Sequence, residues 1–413
     1  MMKLKFIPIL ICFISLQVAG QENSDSNPFS IKWDNGFKVD SQDKKFKLKF
    51  GGRIMWDHAY FNQNDDLDAS FGELESMDGT EFRRVRFYFS GLLYKNFEFK
   101  LNVDFAGGVT RLKDAYIGVR NIPIVGTVRA GHMKEPLRFD MLTSSKYIVF
   151  MERGIPEDIA NERNNGILLM NDFLDEKLSV QAGVFRMADG SGNDRNAGRD
   201  IALTYRVTTL AINDKEKEQL LHFGVSHSYR VPDREEYEIA VRPKAHLAKE
   251  YISTDNIPDV DHVNIVNLET AYSKGPFTFQ AEYLNSWVKS ESTDISQTYS
   301  FSNYYAQISY FITGEHRPFI GSYEAFGRVK PHKNFMDGSK GAGAWEVALR
   351  YGYTSLDSED IYGGTQGDVT VGVNWYLNPV SRIMFNYVYT DISKKDIGGG
   401  ILNIFEVRFQ VDF

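Results

Sequence analysis

The stretch FRRVRFYFSGLLYKNFEFKLNVDF, residues 82–105, places Arg84, Arg86 and Lys100 at even positions. The odd positions from Val85 to Leu93 and from Phe97 to Phe105 are almost all apolar. Side chains of a strand alternate between its two faces, so the three cations share a face with Glu98 and Asp104. Two roles are open to them. They attract anions in a water-filled space, or Arg84 and Arg86 pair with Glu98 and Asp104 across a hairpin and brace a wall. Catalytic motifs are missing: the chain has no HExxH, no GxSxG and no GxxxxGK[ST]. His222 and His227 are five residues apart, which puts them on opposite faces of a strand, unable to chelate one metal. The reading is a non-enzyme with no cofactor and no metal site.

A second group of charges lies in KEPLRFDMLTSSKYIVFMERGIPEDIANERNN, residues 134–165. Alternation stops here, and charges of both signs are mixed. A structureless span of this length is usually functional. Between two strands of a barrel it is the natural segment to fold inward and narrow the lumen.

The elements that must position these charges are strands. The chain has 413 residues with 22 Tyr, 30 Phe and 34 Gly but only 12 Pro, a mix that favours strands and turns. Lys3 and Lys5, the apolar run Phe6–Leu16 and the small residues Val18-Ala19-Gly20 read as a secretory signal. Cys12, the one cysteine, lies inside it, so the exported chain uses no disulfide. No other run approaches the ~20 apolar residues of a membrane-spanning helix. If the chain enters a membrane, it does so as a closed barrel. The formal charge of −8 points away from nucleic acid.

Strand length separates a membrane barrel from a soluble sheet. Arg83–Leu93 and Phe97–Phe105 approach the ~9–11 residues of a tilted membrane strand, against ~5–6 in ordinary sheets. Tyr94-Lys95-Asn96 reads as a tight turn that sets Leu93 opposite Phe97. The same dyads recur in Trp345–Tyr353, Val369–Trp375 and Ile383–Tyr389. The last strand, NIFEVRFQVDF, ends in Phe413, resembling the assembly signal of Gram-negative outer-membrane barrels. One face of each strand is expected to meet lipid and the other a wet interior.

Seventeen stretches from 46–61 to 402–413 read as strands, among them 238–249. One or two are expected to be loop hairpins, leaving an even number near ~16. The expected organisation is a signal peptide at 1–20, a periplasmic lead-in at 21–44 and a transmembrane barrel at 45–413. The fold class is all-β, a closed antiparallel transmembrane β-barrel with an infolded constriction loop. The acidic loop 62–79 reads as solvated. A divalent-cation link from it to lipopolysaccharide is the sharper alternative.

Several blocks resemble the phosphate-selective porin O and P family. They are GGRIMWDHAYF, FRRVRFYFSGLLYKNFEFKLNVDFA, DAYIGVR, GHMKEPLRFDMLTSSKYIVFMER with NERNNGILL, TGEHRPF, VGVNWYLNPVSRIMFNYVYTDI and NIFEVRFQVDF. The resemblance spans about 46–413, and its most specific part is 131–168. It implies a 16-stranded barrel in the outer membrane of a Gram-negative bacterium, usually a homotrimer in outer-membrane lipid and lipopolysaccharide. It implies a pore lined by Arg and Lys that passes small anions such as phosphate. Lys134, Lys146, Arg153 and Arg163 sit at matching places. One departure is local: 141–165 holds three cations against the four acids Glu152, Glu157, Asp158 and Glu162. The reading that follows is an anion-passing porin. Its alternatives are a weakly selective channel for sugars or organic acids and, less favoured, a barrel enzyme.

Overall fold

The computed structural model describes residues 28–34, 36–159, 162–193, 200–232, 236–291, 296–338 and 340–413. The expected signal peptide lies outside them. The chain opens with a hairpin, β1 (Phe29–Trp33) and β2 (Phe37–Ser41). The wall then begins with β3 (Lys47–Gln63), β4 (Asp78–Leu93), β5 (Phe97–Asp104), β6 (Arg111–Ile122) and β7 (Gly126–Lys134). It continues with β8 (Arg163–Phe173), β9 (Leu178–Arg186), β10 (Ile201–Asp214) and β11 (Gln219–Val231). Two short strands, β12 (Ala240–Val241) and β13 (Ile252–Ser253), pair only with each other. The wall resumes with β14 (Val260–Lys274), β15 (Phe277–Glu291) and β16 (Ser296–Phe311). After the short pair β17 (Phe319–Gly321) and β18 (Ala325–Phe326), it ends with β19 (Ala344–Ser358), β20 (Ile361–Asn378), β21 (Ser381–Lys394) and β22 (Gly398–Asp412).

Among the described residues, sixteen long antiparallel strands close on themselves. Closure is made by β22 against β3, from Leu402 opposite Gln63 to Asp412 opposite Arg53. Leu93 pairs with Phe97 as the sequence predicts, and Tyr94 and Lys95 take the left-handed φ that the tight turn requires (49° and 70°). Alternation holds on β22: Glu406, Arg408 and Gln410 are at most 6% exposed, whereas Phe405, Phe409 and Val411 are 46–52% exposed. His222 faces in, 2.7 Å from Glu269, and His227 faces out, 3.0 Å from Asn264.

The glycine pair at the start of β3 makes room for the chain end. Phe413 N–H donates to Gly52 O at 3.1 Å, and Gly52 N–H donates to Phe413 O at 2.6 Å. A Cβ on Gly52 would stand 2.5 Å from Arg86 O and 2.7 Å from the Phe413 ring. Neither neighbour can give way without opening the seam. Gly52→Val is therefore expected to lower the yield of closed barrel, read as loss of the heat-modifiable band on a gel.

Three segments fill much of the lumen. Segment 135–162 enters between β7 and β8. Segment 232–259 enters from the same end, between β11 and β14. Segment 312–343 enters from the opposite end, between β16 and β19, where the start of β3 and Phe413 lie. The stretch 238–249, expected as a wall strand, belongs to the second of these. Pro243 removes a donor from its middle, and Ile239, Val241 and Ala245 are buried inside the barrel instead of facing lipid.

The interior is accordingly not wet throughout. Inward residues Val263, Ile265, Leu284, Val388, Ile392, Leu402 and Ile404 form one apolar cluster with Ile239, Val241, Tyr251 and Ile252 of the second segment and Leu137, Ile155 and Ile159 of the first. Leu402 and Ile404 share a face with Glu406 and Arg408. That row is apolar where it meets the infolded segments and charged further along.

Candidate functional site: the constriction and its cationic cavity

Segment 135–162 is held from its first turn. The short helix Phe139–Leu142 starts against Glu282 of β15, whose carboxylate accepts from Phe139 N–H at 2.7 Å and Asp140 N–H at 2.8 Å. The Tyr305 hydroxyl donates to the same carboxylate at 2.6 Å. The next stretch is stitched to β19–β22 and the third segment by its carbonyls. Gln410 Nε2 donates to Lys146 O at 3.1 Å, Arg317 to Tyr147 O at 2.5 Å and Arg382 to Ile148 O at 2.8 Å. Asn374 donates to Val149 O, Arg408 to Met151 O and Arg350 to Glu152 O, each at 2.8 Å. Six of seven consecutive carbonyls are thus taken by side chains. The Glu152 carboxylate completes the attachment with a bidentate bond from Arg83 at 2.8 and 3.0 Å.

On the other side of the segment, toward β3–β8, lies a cavity of about 1120 Å³. Among the described residues its lining holds fourteen Lys and Arg against six Asp and Glu. The whole chain carries −8, so cationic side chains are concentrated on this passage.

All seven cations named from the sequence line this cavity. Their charges are not equally available. Arg86 pairs with Asp104 at 2.6 Å, the bracing role anticipated for it. Lys100 pairs with Asp114 at 3.1 Å. Lys134 and Arg153 reach Glu162 at 3.5 and 3.8 Å, and Arg163 bonds both Glu162 and Asp114. Glu98 stands opposite Leu92, eight residues along β4 from Arg84, and bonds Arg129 instead, so the expected bond from Arg84 does not form.

Arg84 and Lys146 have no carboxylate within 4 Å among the described residues. A bulge between β3 and β4 turns Arg83 and Arg84 inward together. Among the described residues the one hydrogen bond of the Arg84 side chain is to Met55 Sδ, at 3.9 Å. Lys146 Nζ lies over the rings of Tyr88 and Tyr147, at 5.5 and 5.2 Å. Arg53 joins them. It donates to Ser145 Oγ at 2.6 Å and has no carboxylate partner among the described residues. Sequence reasoning passed over Arg53, although it alternates with Ile54 and Trp56 and shares the inward parity of Met55 and Asp57.

Burial, reinforced by Arg53, Arg328 and Lys49 and opposed by Asp412, pushes the Lys146 ammonium well below its usual range. A lowered pKa means that the positive charge is lost as pH rises, before the ordinary lysine range near ~10.4. Any anion preference carried by Lys146 is expected to fade as pH rises toward that range. In Lys146→Arg it should stay flat, as reversal potentials across that range would show.

The family model for phosphate-selective porin O and P matches residues 48–413. The chain belongs to that family. It is an outer-membrane porin of the Gram-negative type. Porin O of Pseudomonas aeruginosa is 26% identical over 413 aligned residues, covering 91% of this chain and 90% of that one. Among solved structures, an anion-selective porin from Comamonas acidovorans superposes with a TM-score of 0.55 at 13% identity, covering 89% of this porin and 100% of its own chain. OmpT of Vibrio cholerae in its trimer form gives 0.54 at 11% identity, covering 89% and 99%. These two likenesses concern the fold alone.

Proposed function

We propose that this porin passes small anions, phosphate among them, by diffusion along the cavity between the constriction segment and β3–β8. The observation that supports it most is the fourteen-to-six excess of basic groups on that lining, in a chain of charge −8. Fixed charges at a narrow zone raise the local concentration of counter-charged solute without any chemical step. Arg53, Arg84 and Lys146, beside the constriction segment, are free to do this, as are Lys47 and Lys49, because among the described residues none has a carboxylate within 4 Å. Ser144 and Ser145 add hydroxyls beside Arg53, suited to an oxyanion. The names of Porin O's family and of the Comamonas porin agree with this reading.

A second reading keeps support from one observation. Five of the seven cations named from sequence are paired, which suits a weakly selective channel for sugars or organic acids. Planar-bilayer reversal potentials in a KCl gradient, with phosphate then titrated against chloride, separate the two. Anion preference with phosphate depressing the chloride current is expected. Cation preference would overturn the anion reading, and no preference would favour the second.

The porin is further proposed to work as a homotrimer. Strand β5 has 8 residues, and β7 and β9 have 9 each, against 18 in β20. Eight tilted residues rise only ~20 Å, less than the ~25 Å apolar band of an outer-membrane barrel. That low wall suits a neighbouring copy better than lipid. On the same footing, residues 1–20 act as the export signal, 21–44 as a periplasmic lead-in, and the remaining outer wall meets lipid and lipopolysaccharide.

A further inference from the structure

We infer that Arg350 and Arg382, which do not line the solute's path, set part of the anion preference through their field. The inference rests on the anion reading above and adds a source of charge to it. Both side chains are buried, at 1% and 2% exposure, and neither belongs to the lining of the cationic cavity. Each directs its donors to neutral groups. Arg382 donates to Ile148 O at 2.8 Å, to the Tyr376 hydroxyl at 3.3 Å and to Gln410 Oε1 at 2.9 Å. Arg350 donates to Glu152 O at 2.8 Å and Thr370 Oγ1 at 3.4 Å, and its guanidinium lies 4.5 Å from the centre of the Phe150 ring.

Two other arginines that hold carbonyls of the constriction segment differ. Arg317 binds Glu346 at 2.6 Å, and Arg408 binds Asp57 at 2.6 Å. Asp368, the acid on β20 beside Arg350, lies 3.7 Å from Lys244 of the second infolded segment. Among the described residues neither Arg350 nor Arg382 has a carboxylate within 4 Å. Carbonyl dipoles solvate a buried guanidinium but leave its net charge in place. The stitched carbonyls of the constriction segment therefore allow two positive charges with no carboxylate in direct contact to stand behind it.

Geometry carries that charge toward the passage. Gln410 accepts from Arg382 and donates to Lys146 O at 3.1 Å, so Arg382 stands two hydrogen bonds behind the Lys146 backbone. A trans peptide sets N–H opposite C=O. With the carbonyls of Tyr147, Ile148 and Val149 bound to side chains of the wall and third segment, the amides of Ile148, Val149 and Phe150 turn their positive ends away from those partners. A low effective dielectric lets such a field reach further than it would in water.

Glutamine and lysine at each position separate charge from bonding, since glutamine keeps a donor without charge and lysine keeps the charge. Reversal potentials in a KCl gradient give the chloride-to-potassium ratio. Liposome swelling with neutral sugars reports whether the constriction has moved. Arg382→Gln and Arg350→Gln are each expected to lower the ratio two- to fourfold with sugar exclusion unchanged, and the lysine variants to retain it. Should one variant fail to fold, the other position carries the test. A ratio unmoved in the glutamine variants would overturn the inference, and so would an equal fall in the lysine variants. An unselective wild-type channel would instead sink the anion reading. A shift toward potassium in the glutamine variants is expected from any starting ratio, so the two claims fail separately.

Discussion

Glutamine at both Arg53 and Lys146 is expected to lower the chloride-to-potassium permeability ratio about thirtyfold at a pH where Lys146 keeps its proton. The size follows from Coulomb's law. A unit charge ~8 Å from a permeating ion, at a dielectric near that of bulk water, favours an anion by roughly 0.5 kcal/mol and disfavours a cation by as much, so it shifts the ratio by roughly 1 kcal/mol. Two such charges give ~2 kcal/mol, or about thirtyfold. These two residues matter more than Arg86, Lys100, Lys134, Arg153 or Arg163, whose charges already face Asp104, Asp114 or Glu162. Neutralising Arg163 alone should move the ratio far less, and its main effect should be on how the loop sits. Reversal potentials for the double variant and for Arg163→Gln check this. Equal shifts in the two would show that pairing does not decide which cations act on the solute.

Arg408→Met should release the constriction. Arg408 binds Asp57 through two bonds of 2.7 and 2.6 Å, donates to Met151 O at 2.8 Å and reaches Glu152 at 3.3 Å. Its side chain is fully buried. Removing one member of a buried ion pair costs ~3–5 kcal/mol, chiefly because the partner is left uncompensated. The wall itself is sealed by backbone ladders between all its strands, so the loss falls on the segment that Arg408 ties down. Single-channel conductance is expected to rise at least about twofold, with neutral sugars that the wild type excludes entering in swelling assays. Conductance equal to wild type would mean that the other five carbonyl bonds suffice.

The wall was legible because membrane strands repeat one rule over many residues. Val85 to Phe105 showed the faces, the turn and the register before any coordinates. The infolded segments were less so. Ile239 and Val241 look the same in sequence whether they face lipid or an apolar core inside the barrel, and that is how 238–249 passed for a wall strand. Arg350, Arg382 and Arg408 share the face expected to be wet, yet they hold loop carbonyls. Nothing local reveals which cation meets which acid. The pair Arg163–Asp114 joins residues on β6 and β8, and its existence depends on the path taken by everything between them. Arg53 is the opposite case. Its inward parity was available in GGRIMWDHAYF, and the charges of 134–165 drew attention away from it.

The segment 135–162 lies between two later stretches of chain. From one end of the barrel, Tyr237 reaches Ile159 O and Lys244 reaches Gly154 O, both at 2.8 Å. From the other end, Tyr323 bonds Lys134 O at 2.7 Å, and Phe326 packs edge-on against Phe139 with ring centres 5.5 Å apart. A filling held between two covers has to be laid down before the second cover closes. Along the chain the filling precedes both covers, so the order that this packing asks for is the order of synthesis. The last cover to close arrives on the side from which the chain is delivered.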